Sequence, residues 1–340
     1  MRDFGQPASP VGRRTVLLAV GGLAFGAAAC SSGGRHVTAS GTRQTGVPPS
    51  PRSTSGVGTP GARSALPRAT LWRPSRDDVD PQVKLRAVQL IEALGSWRTG
   101  EQGTVAGRSR VSALGLAPGL AGQAGPLLAS ADEAVLQVVD AQYGGILTDT
   151  ASVLVVCRQW TRRADAVTAG GTTVDVRLSR AQPRWTVTAL HPARPGPAAS
   201  SLPPAARKVL DDSRIGLPPA ARADVRSGHI HTTVLEAMLR LAGTYRMNLS
   251  VIRSGHPLDV FGTSRPSDHP HGRAFDVWQI NGRSVVDSAT PRRLIESFMR
   301  DAAATGSYNV GGPVQLGGGT LGQFFSDPTH HDHVHVGFRS

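Results

Sequence analysis

Thiols are scarce in this chain. It has two cysteines in 340 residues, Cys30 and Cys157, which excludes a scaffold stapled by several disulfides. With Cys30 placed for modification (below), no internal disulfide is expected, and Cys157, inside Val153-Leu-Val-Val-Cys, reads as buried apolar filler. Acidic residues are missing altogether from 31–76, a segment that carries seven arginines, and residues 1–29 add three Arg against one Asp. The formal net charge of +13 is thus concentrated in a tail, while 77–340 keeps 27 basic and 23 acidic residues, a net +4. That tail has no interleaved aromatics and no nucleic-acid-binding module behind it, so nucleic acid is not an expected partner. Anionic lipid headgroups or wall polymers suit it, and so does the simpler role of a solvated spacer. The Gly-rich loop 311–322 lacks lysine and a following helical pattern, which excludes a phosphate-binding loop.

The longest apolar run, Val16–Ala29, is short for a membrane span, but Arg13-Arg14 precede it and Ala27-Ala-Ala29 close it. This is the pattern of an export signal over residues 1–29. Cys30 directly after it looks like a bacterial lipoprotein cleavage site, which implies a lipidated Cys30 holding the protein to the outer face of the cell membrane. The arginine pair resembles a twin-arginine signal, with the general export route equally open. Residues 30–76, rich in Gly, Ser, Thr, Pro and Arg, cannot bury enough apolar surface to order themselves and are expected to form a disordered linker.

Asp80-Pro81, an N-cap followed by proline, predicts a helix with Ala87, Leu90, Ile91 and Leu94 inward. Ser130-x-x-Glu133 reads as a capping box opening a second helix through Val135, Val138 and Val139. Val153–Cys157 predicts a buried strand, and Val174, Val176 and Leu178 alternate with Asp175 and Arg177 as a half-exposed one. Gln182-Pro183 then turns the chain into Trp185–Leu190. Residues 77–192 form an α+β accessory domain on this reading, similar in pattern to the nuclear-transport-factor-2-like fold of exported actinobacterial lipoproteins, and expected to act as a spacer or docking unit. Residues 193–204 are a Pro/Ala/Ser linker. In 205–340, Thr233-x-x-Glu236 caps a helix carrying Val234, Met238, Leu241, Ala242 and Tyr245, Asn248–Arg253 is a strand, and Thr290-Pro291 opens a helix with Leu294, Phe298 and Ala302 inward.

Chemistry concentrates in this last segment. Nine of the eleven histidines lie beyond position 228, most densely in Ser267-Asp-His-Pro-His-Gly-Arg-Ala-Phe-Asp276 and His330-His-Asp-His-Val-His335. Imidazole and carboxylate are zinc ligands, and a catalytic zinc takes three protein ligands and a water. His269, Asp276 and His335 would supply that set. Alternation along a strand would put His331, His333 and His335 on one face and Val334 and Val336 on the other, and Ala274, Asp276 and Trp278 share a face of the preceding strand. A second pair, His229 and His231, stands before a helix start without a nearby carboxylate and reads as surface or capping; His256 and His271 could line the cleft, and His330 reads as loop.

The motif Ser267-x-His269-x-x-Gly272-x-Ala274-x-Asp276, followed by His333-x-His335, resembles that of the zinc D-alanyl-D-alanine peptidases, whose fold is shared with lysostaphin-type enzymes and the hedgehog domain. The resemblance covers roughly the last 135 residues and implies zinc on the positions matching His269, Asp276 and His335 in a small α+β domain. It also implies hydrolysis of peptidoglycan stem peptides or cross-links. Where members carry a Glu base, this chain offers Asp332 or His333, with His333 favoured because Asp332 points away from the metal face of a regular strand. Where members carry a substrate-holding Arg, it offers Arg253 or Arg265, and Ser267 is expected to bind substrate with them. The alternative is a non-catalytic zinc module that binds wall material or a protein partner.

Overall fold

The computed structural model describes residues 65–181 and 185–340, which fall in one compact unit. The export signal, Cys30, most of the linker and the Gln182-Pro183 turn lie outside the described residues. The architecture is α+β, built on two sheets with separate hydrophobic cores.

The first sheet follows two helices, α1 (Pro81–Gly95) and α2 (Gly103–Ala113). The Asp80 side chain accepts from the Gln82 amide, as an N-cap should, and Ala87, Leu90, Ile91 and Leu94 are buried as their spacing predicts. Helix α2 has almost no apolar face, burying only Gly107 and Val111, and left no periodic signal to read. Strands β1 (Glu133–Ile146), β2 (Thr150–Arg163), β3 (Ala166–Ser179) and β4 (Thr186–Pro192) then pair in order as an antiparallel meander. The helix predicted from Ser130 is therefore strand β1. Ala134, Leu136 and Val138 are buried with a period of two, and Glu133 reaches across the ladder to Arg162 rather than back to a helix cap. Asp175, expected at the surface, is buried and held by Ser152 Oγ at 2.6 Å and Arg177 Nε at 2.7 Å. Cys157 is buried, and burial pushes its thiol up to about 12, consistent with an inert filler.

Order begins earlier than composition suggests. The Thr70 amide donates to Gln137 and the Trp72 amide to Glu92, so the stretch assigned to the tail is already tied to the sheet domain from about residue 70. The segment 193–204 is likewise held to its surroundings: the Ala193 amide bonds Thr173 and the Ala199 amide bonds Arg226.

Beyond it come α3 (Pro204–Asp211), β5 (Ile215–Gly216), α4 (Pro219–Arg226), α5 (Thr232–Ala242), β6 (Met247–Leu249), β7 (Ala274–Ile280), β8 (Arg283–Ser284), α6 (Arg292–Ala304), β9 (Asn309–Gly311), β10 (Phe324–Phe325) and β11 (Val334–Gly337). The sheet order is β10-β9-β11-β7-β6-β5, with β8 paired to β7. Val234, Met238, Leu241, Phe298 and Ala302 pack into its core, while Leu294 is only partly buried against it. The N-cap of α5 is His231; Thr233 sits inside the first turn, and its hydroxyl donates to the Ser340 carbonyl. Strand β6 stops at Leu249, short of the predicted Arg253, because a register shift there sends Ser250 and Val251 to bracket Asp276 instead. The Ser250 amide donates to the Asp276 carbonyl at 3.1 Å, and the Asp276 amide to the Val251 carbonyl at 3.0 Å. Among the described residues no helix is long and apolar enough to cross a membrane.

Candidate metal centre

Strand pairing brings the first two groups together. β11 runs antiparallel to β7 with His335 directly opposite Asp276, so their side chains share one face of the sheet centre. His269 arrives from a 3-10 turn, His269–His271, that Gly272 closes with φ 68°. A Cβ at Gly272 would stand 2.1 Å from the His229 carbonyl oxygen, so only glycine fits this close left-handed turn.

The three side chains converge. His269 Nε2 lies 3.2 Å from His335 Nδ1 and 3.2 Å from Asp276 Oδ1, and His335 Nδ1 lies 2.9 Å from Asp276 Oδ1. His269 Nδ1 faces the Ile252 carbonyl at 2.8 Å; a carbonyl only accepts, so this nitrogen carries the proton and Nε2 turns a lone pair to the cluster. Burial alone would raise the Asp276 carboxyl, but His269 and His333 beside it hold it well below the usual carboxylate range. Burial lowers His335 to about 4, against the opposing pull of Asp276, and lowers His256 well below the imidazole range. Asp276 is thus held as a carboxylate while His335 and His256 give up their protons readily, which favours cation binding.

Two triads can be drawn in it. His256, His269 and Asp276 place ligand atoms within 4.8 Å of one another and could hold a metal ion. The triangle through His335 is tighter, and its edges lie close to the roughly 3.3 Å expected between donors of a tetrahedral ion with bonds of about 2.0–2.1 Å. His256 stacks on the His269 ring at 4.1 Å and turns Nδ1 to the Pro257 carbonyl at 2.9 Å, leaving Nε2 as its only donor for an ion. Its place within the cluster, rather than merely along the cleft, had no signal beyond the Ser254-Gly255 turn before it.

His333 stands just before β11 with Nδ1 2.7 Å from Asp332 Oδ1 and Nε2 3.7 Å from Asp276 Oδ2. Burial would lower it, but Asp276 and Asp332 outweigh burial and raise it. Asp332 itself faces away from the cluster: Oδ2 accepts from the Tyr143 amide at 2.9 Å and pairs with Lys84 Nζ at 2.6 Å. Its candidacy as the base ends there, since both oxygens are already engaged in a buried ion pair and in holding His333. His331 departs from the shared face as well, because the chain is still in a 3-10 turn and its Nε2 lies 2.9 Å from the Asp77 carbonyl. His330, read as loop, does lie in that turn, yet its ring centre is 5.1 Å from His333 and 5.7 Å from His335, with Nδ1 2.8 Å from Asp327.

A cavity of 570 Å³ opens over the cluster, lined among others by Arg265, Tyr308, His330 and His333. Arg265 thus lines the cavity over the cluster. Arg253 does not; it bonds the Pro195 carbonyl and lines a neighbouring 1360 Å³ groove that meets the first at His256, Val260 and Phe261. Ser267 is largely buried in the wall of the same cavity, its Oγ 3.4 Å from His256 Nδ1 and accepting from the His269 amide at 3.4 Å, so it braces the loop that carries His269. His229 bonds Ser227 and His231 caps α5, both apart from the cluster, and His271 is exposed.

The acid stability of the fold should report this network. Burial raises Asp332, but Lys84 and then His333 hold it at about 2, below the ordinary 3.8. The folded state therefore binds this proton less readily than the unfolded chain does, so its contribution is complete above about pH 4 and is lost as pH falls towards 2. The loss amounts to about 2 kcal/mol. The decline is expected as a difference between wild type and Asp332→Asn in urea unfolding from pH 5 to pH 2, because Asp78 in the same network is raised and acts in the opposite direction; parallel profiles would contradict the assignment.

No family model, curated protein or solved structure matches this chain.

Proposed function

We propose that this chain is a zinc-dependent peptidase of the D-alanyl-D-alanine type, exported, held at the outer face of the membrane through a lipidated Cys30 and acting on peptidoglycan stem peptides. The accessory domain would be a nuclear-transport-factor-2-like unit. The observation that carries the proposal is the triangle of His269 Nε2, Asp276 Oδ1 and His335 Nδ1, with edges of 2.9 to 3.2 Å. Three acceptors this close repel one another unless something electrophilic lies between them, and protons could join them only pairwise. A divalent cation satisfies all three, and a set of two imidazoles and one carboxylate suits zinc.

The chemistry zinc supplies at such a site is a water acidic enough to ionise near neutral pH and a polarised scissile carbonyl. His333 is placed to serve as the base: with Asp332 holding its Nδ1 as the donor, Nε2 would accept a water's proton and could pass it to the leaving amine. Arg265, on the rim of the same cavity, binds the terminal carboxylate. The adjoining groove leaves room for the rest of a stem peptide.

A second reading rests on His256. If its Nε2 closes the fourth position, the site is a structural His/Asp centre of a wall-binding module without activity. Elemental analysis of the washed protein, together with a D-alanine release assay on a stem pentapeptide, separates them. The peptidase reading expects one zinc per chain and zinc-dependent release. One zinc without release, and loss of that zinc in His256→Ala, would establish the module; no zinc would sink both.

A further inference from the structure

The metal site is not built by the C-terminal sheet alone. β1 belongs to the first sheet, yet Gln142 Nε2 donates to Asp276 Oδ2 at 2.6 Å, while its Oε1 accepts from the Ser250 hydroxyl. One residue on, the Tyr143 amide donates to Asp332. From α1, Lys84 joins Asp332 to Asp78; it is one of only two lysines in the chain and is 2% exposed. Gln142 is 1% exposed.

The backbone is shaped for this. Register shifts in β1 fall between Val138 and Asp140 and between Tyr143 and Gly145. Before the first, even-numbered residues (Leu136, Val138) enter the core of the first sheet; after it, odd-numbered ones do (Ala141, Tyr143). The extra residue therefore reverses the parity and turns Gln142 out towards the other sheet. At the second, Gly145 lets the Phe261 ring come so near that a Cβ would stand 2.2 Å from it.

We infer that Gln142 and Lys84, from the N-terminal sheet domain, are positioning residues of the metal site: Gln142 holds Asp276 so that Oδ1 faces the imidazoles, and Lys84 holds Asp332 so that His333 keeps its orientation. The inference rests on the zinc reading above. It gives the accessory domain a part in the site itself, beyond the spacer or docking role that its sequence suggests. A donor on the second oxygen of a metal-binding carboxylate selects which oxygen is offered, and removing such outer partners costs roughly 10–100-fold in metal affinity.

The test uses the full chain, with zinc affinity read by competition against a chromogenic chelator and ligand geometry read from the visible spectrum of the cobalt-loaded protein. Gln142→Leu is expected to weaken zinc roughly 10–100-fold and to alter the cobalt spectrum. Gln137→Ala, on the same strand but bonded to Thr70, is expected to leave both at wild type. Lys84→Met is expected to keep wild-type zinc affinity and to shift the pH profile of hydrolysis, with Lys84→Arg restoring it; circular dichroism establishes that each variant is folded. Wild-type affinity and spectrum in folded Gln142→Leu would overturn the role of Gln142, and an unmoved profile in folded Lys84→Met would overturn that of Lys84, while the zinc reading stands. If Gln142→Leu does not fold, Gln142→Glu, which sets a second carboxylate against Asp276, must change the zinc affinity or the inference fails. A wild-type protein that takes up no zinc overturns both this inference and the proposed function.

Discussion

Exchange of Asp276 for alanine is expected to strip the protein of zinc and to bring stem-peptide cleavage to background. Asp276 supplies the only negative charge in the triangle, and the water that the adjoining cavity could put in its place would bring no charge. Alanine would leave His269 and His335 as two neutral donors, with Gln142 bonding to nothing in place of Oδ2. The loss of affinity should exceed the roughly 10–100-fold typical of outer partners. Elemental analysis after dialysis reads this directly. The backbone pairing of β7 and β11 does not depend on the side chain, so the variant should keep its circular dichroism. A folded Asp276→Ala protein that still holds one zinc per chain would show that the triangle is not the site.

His333→Ala should separate binding from chemistry. Its Nε2 is 3.7 Å from Asp276 Oδ2, beside the triangle and outside its tight edges, and its Nδ1 is committed to Asp332. Loss of a general base lowers kcat by roughly 10²–10⁴-fold, equivalent to about 3–5 kcal/mol of barrier. Zinc content should remain one per chain and KM should move little. Loss of metal together with activity would reassign His333 as a ligand and leave the base to be sought at His330, which carries its own carboxylate partner in Asp327.

The convergence of His269, Asp276 and His335 was readable from sequence because each member sits where local rules are strong. Asp276 and His335 lie on short apolar strands whose alternation fixes a face, and His269 precedes a glycine that a left-handed turn demands. What sequence could not show depends on register and on contacts far along the chain. The β1 strand was mistaken for a helix because Ser130-x-x-Glu133 fits a capping box, while the cross-strand partner that claims Glu133, Arg162, is 29 residues away. Gln142 gave no signal at all: a lone glutamine in a polar–apolar run becomes a site residue only through the parity reversal at the bulge. Strand alternation favours His333 over Asp332 as the base, but the partner that engages Asp332, Lys84, lies 248 positions away and could not be read from sequence.

The pairing of His335 with Asp276 ties ion capture to completion of the sheet. These two residues are 59 positions apart, and the intervening chain contains a helix and three further strands, of which β9 pairs with β11 on its other side. Slippage of β11 by a single residue would carry His335 to the opposite face and leave an incomplete cage. Zinc would therefore act as a proofreader of this ladder, favouring the one alignment that binds it. In a zinc-starved compartment, unloaded molecules would open first at the β7–β11 seam, where amide hydrogen exchange would detect them.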